Sequence, residues 1–355
     1  MKSWCDCLER GLENIHCPKC GAGLRMLVAQ ADGSIKCLQC GCKFRIDGWV
    51  PKLSVKDRRP ARYLGGARSF IDLMRPFSLI AAGLAGFFLV LLFSAYQGLP
   101  FDFLLAFGCG ISLAFLQSAG QSFNQSLMEE IAIDKASGKV YRPTVQGLIT
   151  PTEGKLFSCI LFVLGISFAF GLSVGFGLFS ILISFFAVFY TAEPIRAKKR
   201  FLINNFWQGI ARGCLPVLAV GYGLFGAVDM FPIFLGVVIA VWIMGGQPTK
   251  DFGGDEKGDR KYGIRTLPVV LGRKRAIDVM AGFVGASFTL LLALIHLSLL
   301  PLQFLLLLVL AVPSYFMLSN LNTFREVRLL ENNLSWGMYY GTLGLWFVLP
   351  AIVLL

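Results

Sequence analysis

From about residue 76 onward the chain is a succession of long apolar runs broken by short polar connections. Runs near 77–97, 103–126, 156–173, 175–190, 202–225, 231–247, 277–297, 301–319 and 335–355 each supply most of the roughly 20 residues a helix needs to cross a bilayer. Because the bilayer core offers no water to backbone groups, such runs must close their own hydrogen bonds. The pattern predicts an all-α membrane protein of about nine crossings. Residues 1–75 read differently, being polar, basic and cysteine-rich, so the average of 55% hydrophobic residues conceals two unlike parts. We expect a small domain at 1–50, a basic linker at 51–69 and a polytopic bundle at 70–355.

Charge sets the expected orientation. The N-terminal segment and the connections near 127–155, 191–201, 248–276 and 320–334 contain every Lys and Arg except Arg212, and the opposite connections contain none. The positive-inside rule places the basic side in the cytoplasm, within a cytoplasmic membrane. The opening MKSWCDCLER lacks the apolar core of a cleavable signal. The net charge of +12 is then explained by topology and an anionic leaflet of membrane lipids, and no nucleic-acid partner is expected.

Seven of the ten cysteines fall in the first segment. Cys17-Pro-Lys-Cys20-Gly and Cys37-Leu-Gln-Cys40-Gly are two CxxCG turns flanking a hairpin pattern with its turn at Asp32-Gly33. Four thiolates from two such turns make a closed tetrahedral zinc site, so Cys17, Cys20, Cys37 and Cys40 predict a zinc-ribbon-like domain that serves folding or docks a protein partner. Iron in the same knuckles is the alternative metal, and Cys5, Cys7 and Cys42 lie outside the pattern.

The candidate chemistry is acidic and lies at the cytoplasmic ends of two crossings. Lys250–Gly272 contains Asp251, Asp255 and Asp259 at four-residue intervals, with Lys250, Lys257, Arg260, Lys261 and Arg265 among them. If the helix continues, Asp251 and Asp255 share a face one turn apart, a spacing that suits a divalent cation. Upstream, the second crossing extends as Gln117–Lys135, in which Glu130 and Asp134 are also one turn apart with Ser126 a turn before them. Gln117, Gln121, Asn124 and Gln125 belong at a wet cavity or the bundle interior, since polar side chains are costly in lipid. Acids for a metal, with cations around them, suit a magnesium-bound diphosphate. Arg75 reads first as a residue snorkelling to the interface, and Arg212, the basic residue at depth, as a functional group or half of an internal ion pair.

With both clusters placed, the chain from about Ala67 onward resembles the UbiA superfamily of intramembrane prenyltransferases. The resemblance is carried by Lys250-Asp251-x3-Asp255-x2-Gly258-Asp259-x3-Gly263-x2-Thr266-Leu267-Pro268-Val269, by Tyr190-x3-Pro194-x-Arg196-x-Lys198 and by Arg142-Pro143-x3-Gly147. The family's first motif, Asn-Asp-x-x-Asp-x-x-x-Asp, falls on Ser126, Leu127, Glu130 and Asp134, so only its last aspartate is kept. The resemblance implies a helical bundle around a central cavity, with Glu130, Asp134, Asp251 and Asp255, and Asp259 nearby, holding magnesium on an allylic isoprenyl diphosphate. It implies donor contacts from Arg142, Lys198 and Lys250; Asn124, Ser126, Tyr190, Arg196 and Arg212 complete the candidate substrate-binding set. A lipophilic acceptor of ether-lipid, quinone or tetrapyrrole type would capture the allylic cation. Competing readings are a scaffold with an altered first motif that recruits a partner through the ribbon, and a transporter with an acidic ion site.

Overall fold

A computed structural model of the chain describes residues 19, 27–29, 35–37, 42–44, 64–139, 141–252, 255–323, 328–329 and 332–355. The chain divides into two compact units, Met1–Arg62 and Tyr63–Leu355. The first contains a three-stranded antiparallel sheet, β1 (Leu27–Ala29), β2 (Ile35–Cys37) and β3 (Lys43–Phe44). Leu27 pairs with Cys37 across the hairpin whose turn the sequence placed at Asp32-Gly33. Cys17, Cys20 and Cys40 lie outside the described residues, as does the side chain of Cys37.

The second unit is helical. It opens with α1 (Leu64–Met74), followed by α2 (Pro76–Tyr96), α3 (Phe103–Gln125), α4 (Met128–Ala136), α5 (Pro151–Leu172) and α6 (Val174–Phe189). Local chemistry fixes where these start. Asp102 caps α3 by accepting from Leu105 N at 3.0 Å, and Thr150 and Glu153 form a reciprocal capping box at α5, with Pro151 at its first turn. The fifth crossing is α7 (Ile203–Gly209), a π-helical stretch at Ile210–Cys214, α8 (Leu215–Leu218) and a second π stretch at Ala219–Leu224. Pro216 has no N–H to offer the Arg212 carbonyl four residues back, which accounts for a helix that widens here. Then come α9 (Phe231–Gly246), a 3₁₀ turn at Gln247–Asp251, α10 (Asp255–Lys261), α11 (Leu267–Leu271), α12 (Arg273–His296), a 3₁₀ run at Leu302–Leu310, α13 (Ala311–Thr323), a small ladder of β4 (Arg328–Leu329) with β5 (Asn332–Asn333), and α14 (Leu334–Leu354).

Among the described residues seven helices are long and apolar enough to cross a membrane. Of the nine expected crossings, the fourth, α6, has 16 residues and the fifth is the broken segment just described. Lipid supplies no hydrophobic drive between helices, so close backbone approach and interhelical hydrogen bonds hold the bundle. Ser112 and Ser158 bind α3 to α5 by donating to the Gly165 and Ala119 carbonyls at 2.8 and 2.7 Å. Gly209 and Gly213, one turn apart, bring the fifth crossing onto the Ala240 backbone, and a Cβ on either would stand 2.7 Å from it. Trp242, Tyr339 and Trp346 are fully buried between α9 and α14.

Two expected continuities are absent. The extension Gln117–Lys135 is not one helix: α3 ends at Gln125 and α4 restarts at Met128, with Leu127 extended between them. Ser126 is therefore not a turn below Glu130 on a common face. Likewise Asp251 ends the 3₁₀ turn and Asp255 opens α10, so the pair sharing one helical face is Asp255 and Asp259. Pro248 and the glycines at 253–254 account for that interruption.

Candidate active site

The two acidic segments meet at one end of a cavity in the helical unit, where α10 packs against α4. The polar mouth is lined by Asp134, Lys139, Arg142, Lys198, Asp255 and Asp259. Tyr190, Gln247, Lys250 and Asn124 line it as well, and its apolar walls include Leu113, Phe186, Trp207, Leu343 and Phe347. Gln117 and Gln121 face this space as expected, while Gln125 is buried and donates to the Leu73 carbonyl at 2.8 Å.

Every acid of the first cluster is held by a cation. Glu130, 1% exposed, accepts from Lys198 and, at 3.5 Å, from Arg196, and Asp134 accepts from Arg142. Arg196 also donates to Glu129 and lies 3.7 Å from Glu193, which makes it a clamp between two connections and not a wall of the cavity. Ser126 also lies off the cavity: its hydroxyl donates to the Ser122 carbonyl and packs where a Cβ on Gly154 would stand. In the second cluster Lys250 donates to Asp251. Lys139, which sequence reasoning passed over, donates to Asp255 at 2.6 Å and stands 4.0 Å from Asp134, bridging the two acidic segments.

The electrostatics follow from crowding of charge out of water. Burial works to raise the Asp255 carboxyl, but Lys139, with Lys250 and Arg142, brings it below the ordinary carboxylate range. Burial also works against the Lys198 ammonium, yet Glu130 and Asp259 hold its pKa above the usual value. Asp259 has no ion-pair partner among the described residues; burial, with Asp251 and Asp255 adding to it against Lys198 and Lys250, pushes it up to about 7.

In chemical type the acids at this place are ones a hard divalent cation takes. Asp251, Asp255 and Asp259 supply carboxylate oxygens, and the buried Oδ2 of Asp251 has no hydrogen-bond partner among the described residues. As they stand, no three His, Cys, Asp or Glu side chains among the described residues converge as a metal site. Lys139 and Lys250 occupy oxygens that an ion would need.

Comparison with known proteins matches residues 82–354 to the profile of the UbiA prenyltransferase family. The chain belongs to the UbiA prenyltransferase family. It is 27% identical over 226 residues to a digeranylgeranylglyceryl phosphate synthase of Pyrococcus horikoshii, covering 61% of this chain and 74% of that one. It is 31% identical over 234 residues to a protoheme IX farnesyltransferase of Pyrobaculum arsenaticum, covering 60% and 73%. A UbiA homolog from Archaeoglobus fulgidus solved with DMAPP and Mg2+ superposes with a TM-score of 0.56 over 81% of this chain and 98% of that one, at 16% identity, which shows the shared fold. Membership and the named homologues make this chain an integral membrane prenyltransferase.

Several members of the UbiA cavity were not legible beforehand. Arg75 does not snorkel outward; it lines the cavity, donates to Gln121 Oε1 at 2.9 Å and takes a left-handed φ of 57° just before Pro76. The last crossing, read as packing, contributes Trp336 and Tyr340. Gln208 joins from the fifth crossing. The available signals were Lys139 five residues after Asp134 and the tyrosine pair Tyr339-Tyr340 inside an apolar run.

Proposed function

We propose that this chain moves an isoprenyl group from an allylic diphosphate to a lipophilic acceptor at the cytoplasmic face of the cell membrane, with magnesium as cofactor. The observation that carries this reading is one cavity lined both by Asp134, Asp255, Asp259, Lys139, Arg142, Lys198 and Lys250 and by apolar and aromatic side chains. Asp251, Asp255 and Asp259 would hold magnesium, which supplies positive charge to the leaving diphosphate. In our reading Glu130 and Asp134 serve to hold Lys198 and Arg142 in place.

The residues of the chain then divide the work. Arg142, Lys198 and Lys250 bind diphosphate oxygens and take up charge as the C1–O bond breaks, with Tyr190 and Gln247 offering further polar atoms. Phe186, Trp207 and Phe347 line the space for the apolar tail and exclude water, and the rings of Trp207 and Tyr190 favour a nearby cation. The acceptor's electron pair forms the new bond to C1, and its proton is lost to complete the transfer. Asn124 faces this space and is an acceptor-side contact. Separately, Cys17, Cys20, Cys37 and Cys40 would hold structural zinc and present the first unit to a protein partner.

The test is diphosphate release and product mass from purified protein, magnesium, a panel of allylic diphosphates and a mixed lipid and quinone-precursor extract. An Asp251→Ala/Asp255→Ala variant should lose roughly 10²-fold or more in rate, the scale for removing preorganised charge stabilisation. Release that persists in this variant, or absence of release with every donor in folded wild type, would overturn the assignment.

A further inference from the structure

Lys139, which joins the two acidic segments, is fixed by the fold on both sides. Helix α4 ends in a glycine stop: Gly138 takes a left-handed φ of 77°, its N–H donates to the Lys135 carbonyl at 3.2 Å, and the Lys139 N–H donates to the Asp134 carbonyl at 2.9 Å. That turn brings the chain back on itself and leaves Lys139 Nζ 4.0 Å from Asp134. On the other side α10 approaches α4 to backbone distance. A Cβ on Gly258 would stand 2.8 Å from the Ile133 carbonyl oxygen and 2.0 Å from Ser137 Oγ, so a glycine there lets α10 sit close enough for Asp255 to accept from Lys139 Nζ at 2.6 Å.

Cations are shared unevenly between the clusters. In the first, Glu130 and Asp134 accept from Lys198, Arg196 and Arg142. In the second, Lys250 and Lys139 alone among the described residues come within ion-pair distance of Asp251, Asp255 and Asp259. Glu130 is 1% exposed and lies off the cavity. Asp259 is 3% exposed and lines the cavity, with no ion-pair partner among the described residues.

We infer that Lys139 binds the donor diphosphate and stands in for a metal ion at the first cluster, so that the cavity takes one divalent ion, on Asp251, Asp255 and Asp259, for each diphosphate. The inference rests on reading the cavity as a prenyl-transfer site. Its basis is charge and space. Seating an ion on Glu130 and Asp134 would expel Lys198 or Arg142 from a buried pair and leave that cation without a counter-charge. At the second cluster Asp259 is open, and only Lys139 and Lys250 have to yield. Once Asp255 is given over to an ion, the Lys139 ammonium is released from it while the Gly138 turn keeps its backbone in place, and the acceptors next to it are the diphosphate oxygens. One lysine thus neutralises Asp255 before loading and contacts the donor afterwards.

The experiment uses full-length protein in a neutral sugar detergent, with manganese as the probe because it takes the same hard oxygen ligands as magnesium. Equilibrium dialysis with inorganic pyrophosphate counts the bound ions, and electron paramagnetic resonance tells an isolated ion from two close enough to couple. Wild type is expected to hold one manganese per chain with the spectrum of an isolated ion. Lys139→Met should shift two affinities in opposite directions, each by about tenfold, the scale of one charge-assisted hydrogen bond. Manganese alone should bind more tightly, because Asp255 is no longer contested, and pyrophosphate in the presence of manganese should bind more weakly, with Lys139→Arg recovering part of that loss. Two coupled ions in wild type, a result that needs no variant to fold, would overturn the inference. So would a Lys139→Met protein that binds pyrophosphate as tightly as wild type, or one in which both affinities move the same way. Wild type that binds neither manganese nor pyrophosphate would instead strike the prenyl-transfer reading.

Discussion

Lys139→Met removes one charge and keeps the length of the side chain, and its cost can be worked from the geometry. Lys139 and Asp255 are each 12% exposed as side chains and 2.6 Å apart. At an effective dielectric constant of about 20 their attraction is roughly 6 kcal/mol, part of which is returned when the lysine no longer has to be desolvated. Asp134 keeps Arg142, so it is not left bare, whereas Asp255 loses its closest cation. Breaking a buried pair from one side costs about 3–5 kcal/mol. At roughly 2–4 °C per kcal/mol for a unit of this size, the melting point should fall by about 6–20 °C in EDTA. Magnesium should then restore more in the variant than in wild type, because the freed carboxylate gives the ion a ligand that Lys139 otherwise holds, and binding to the folded state raises its stability. Melting in detergent across a magnesium titration reads both effects. A variant that melts within 2 °C of wild type in EDTA, or that gains no more from magnesium, would refute the view of Lys139 as the cation bridging the two acidic segments.

Other consequences are local. Gly154→Ala would set a Cβ 2.0 Å from Ser126 Oγ and 3.0 Å from its Cβ, so it should destabilise by about 1–3 kcal/mol, and Ser126→Gly in the same chain should recover most of that in a melting experiment. Gly213→Ala meets backbone atoms of Ala240 at 2.7 Å, which cannot turn aside, so its loss of about 1–3 kcal/mol should resist rescue by trimming any neighbouring side chain. Arg196→Met should destabilise by only about 1 kcal/mol, because Glu130 keeps Lys198 and Glu129 is 44% exposed, with little change in donor affinity if Arg196 is a clamp and not a ligand. Zinc measured by elemental analysis should stand near about one per chain and vanish in Cys17→Ser/Cys20→Ser; a chain that holds no zinc, or keeps it in that variant, would remove the zinc-ribbon reading.

The sequence by itself determined the class of this protein. Apolar runs of bilayer length leave helices as the only way to satisfy the backbone, and Lys and Arg on alternate connections give the expected orientation, so the bundle and its two acidic ends could be read residue by residue. Asp134, Arg142, Lys198, Asp255 and Asp259, singled out as charges near helix ends, line one cavity. Tertiary structure alone decided which of them face one another. Whether Arg75 snorkels or turns inward depends on a left-handed backbone before Pro76, and whether Ser126 faces a substrate or Gly154 depends on where α3 stops. The partnership of Lys139 with Asp255 crosses 116 positions and has no local signature. Arg212 makes the contrast plainest: sequence marked a charge at depth, and only the packing of the last crossing against the widened fifth gave it a neutral tyrosine as partner in place of an acid.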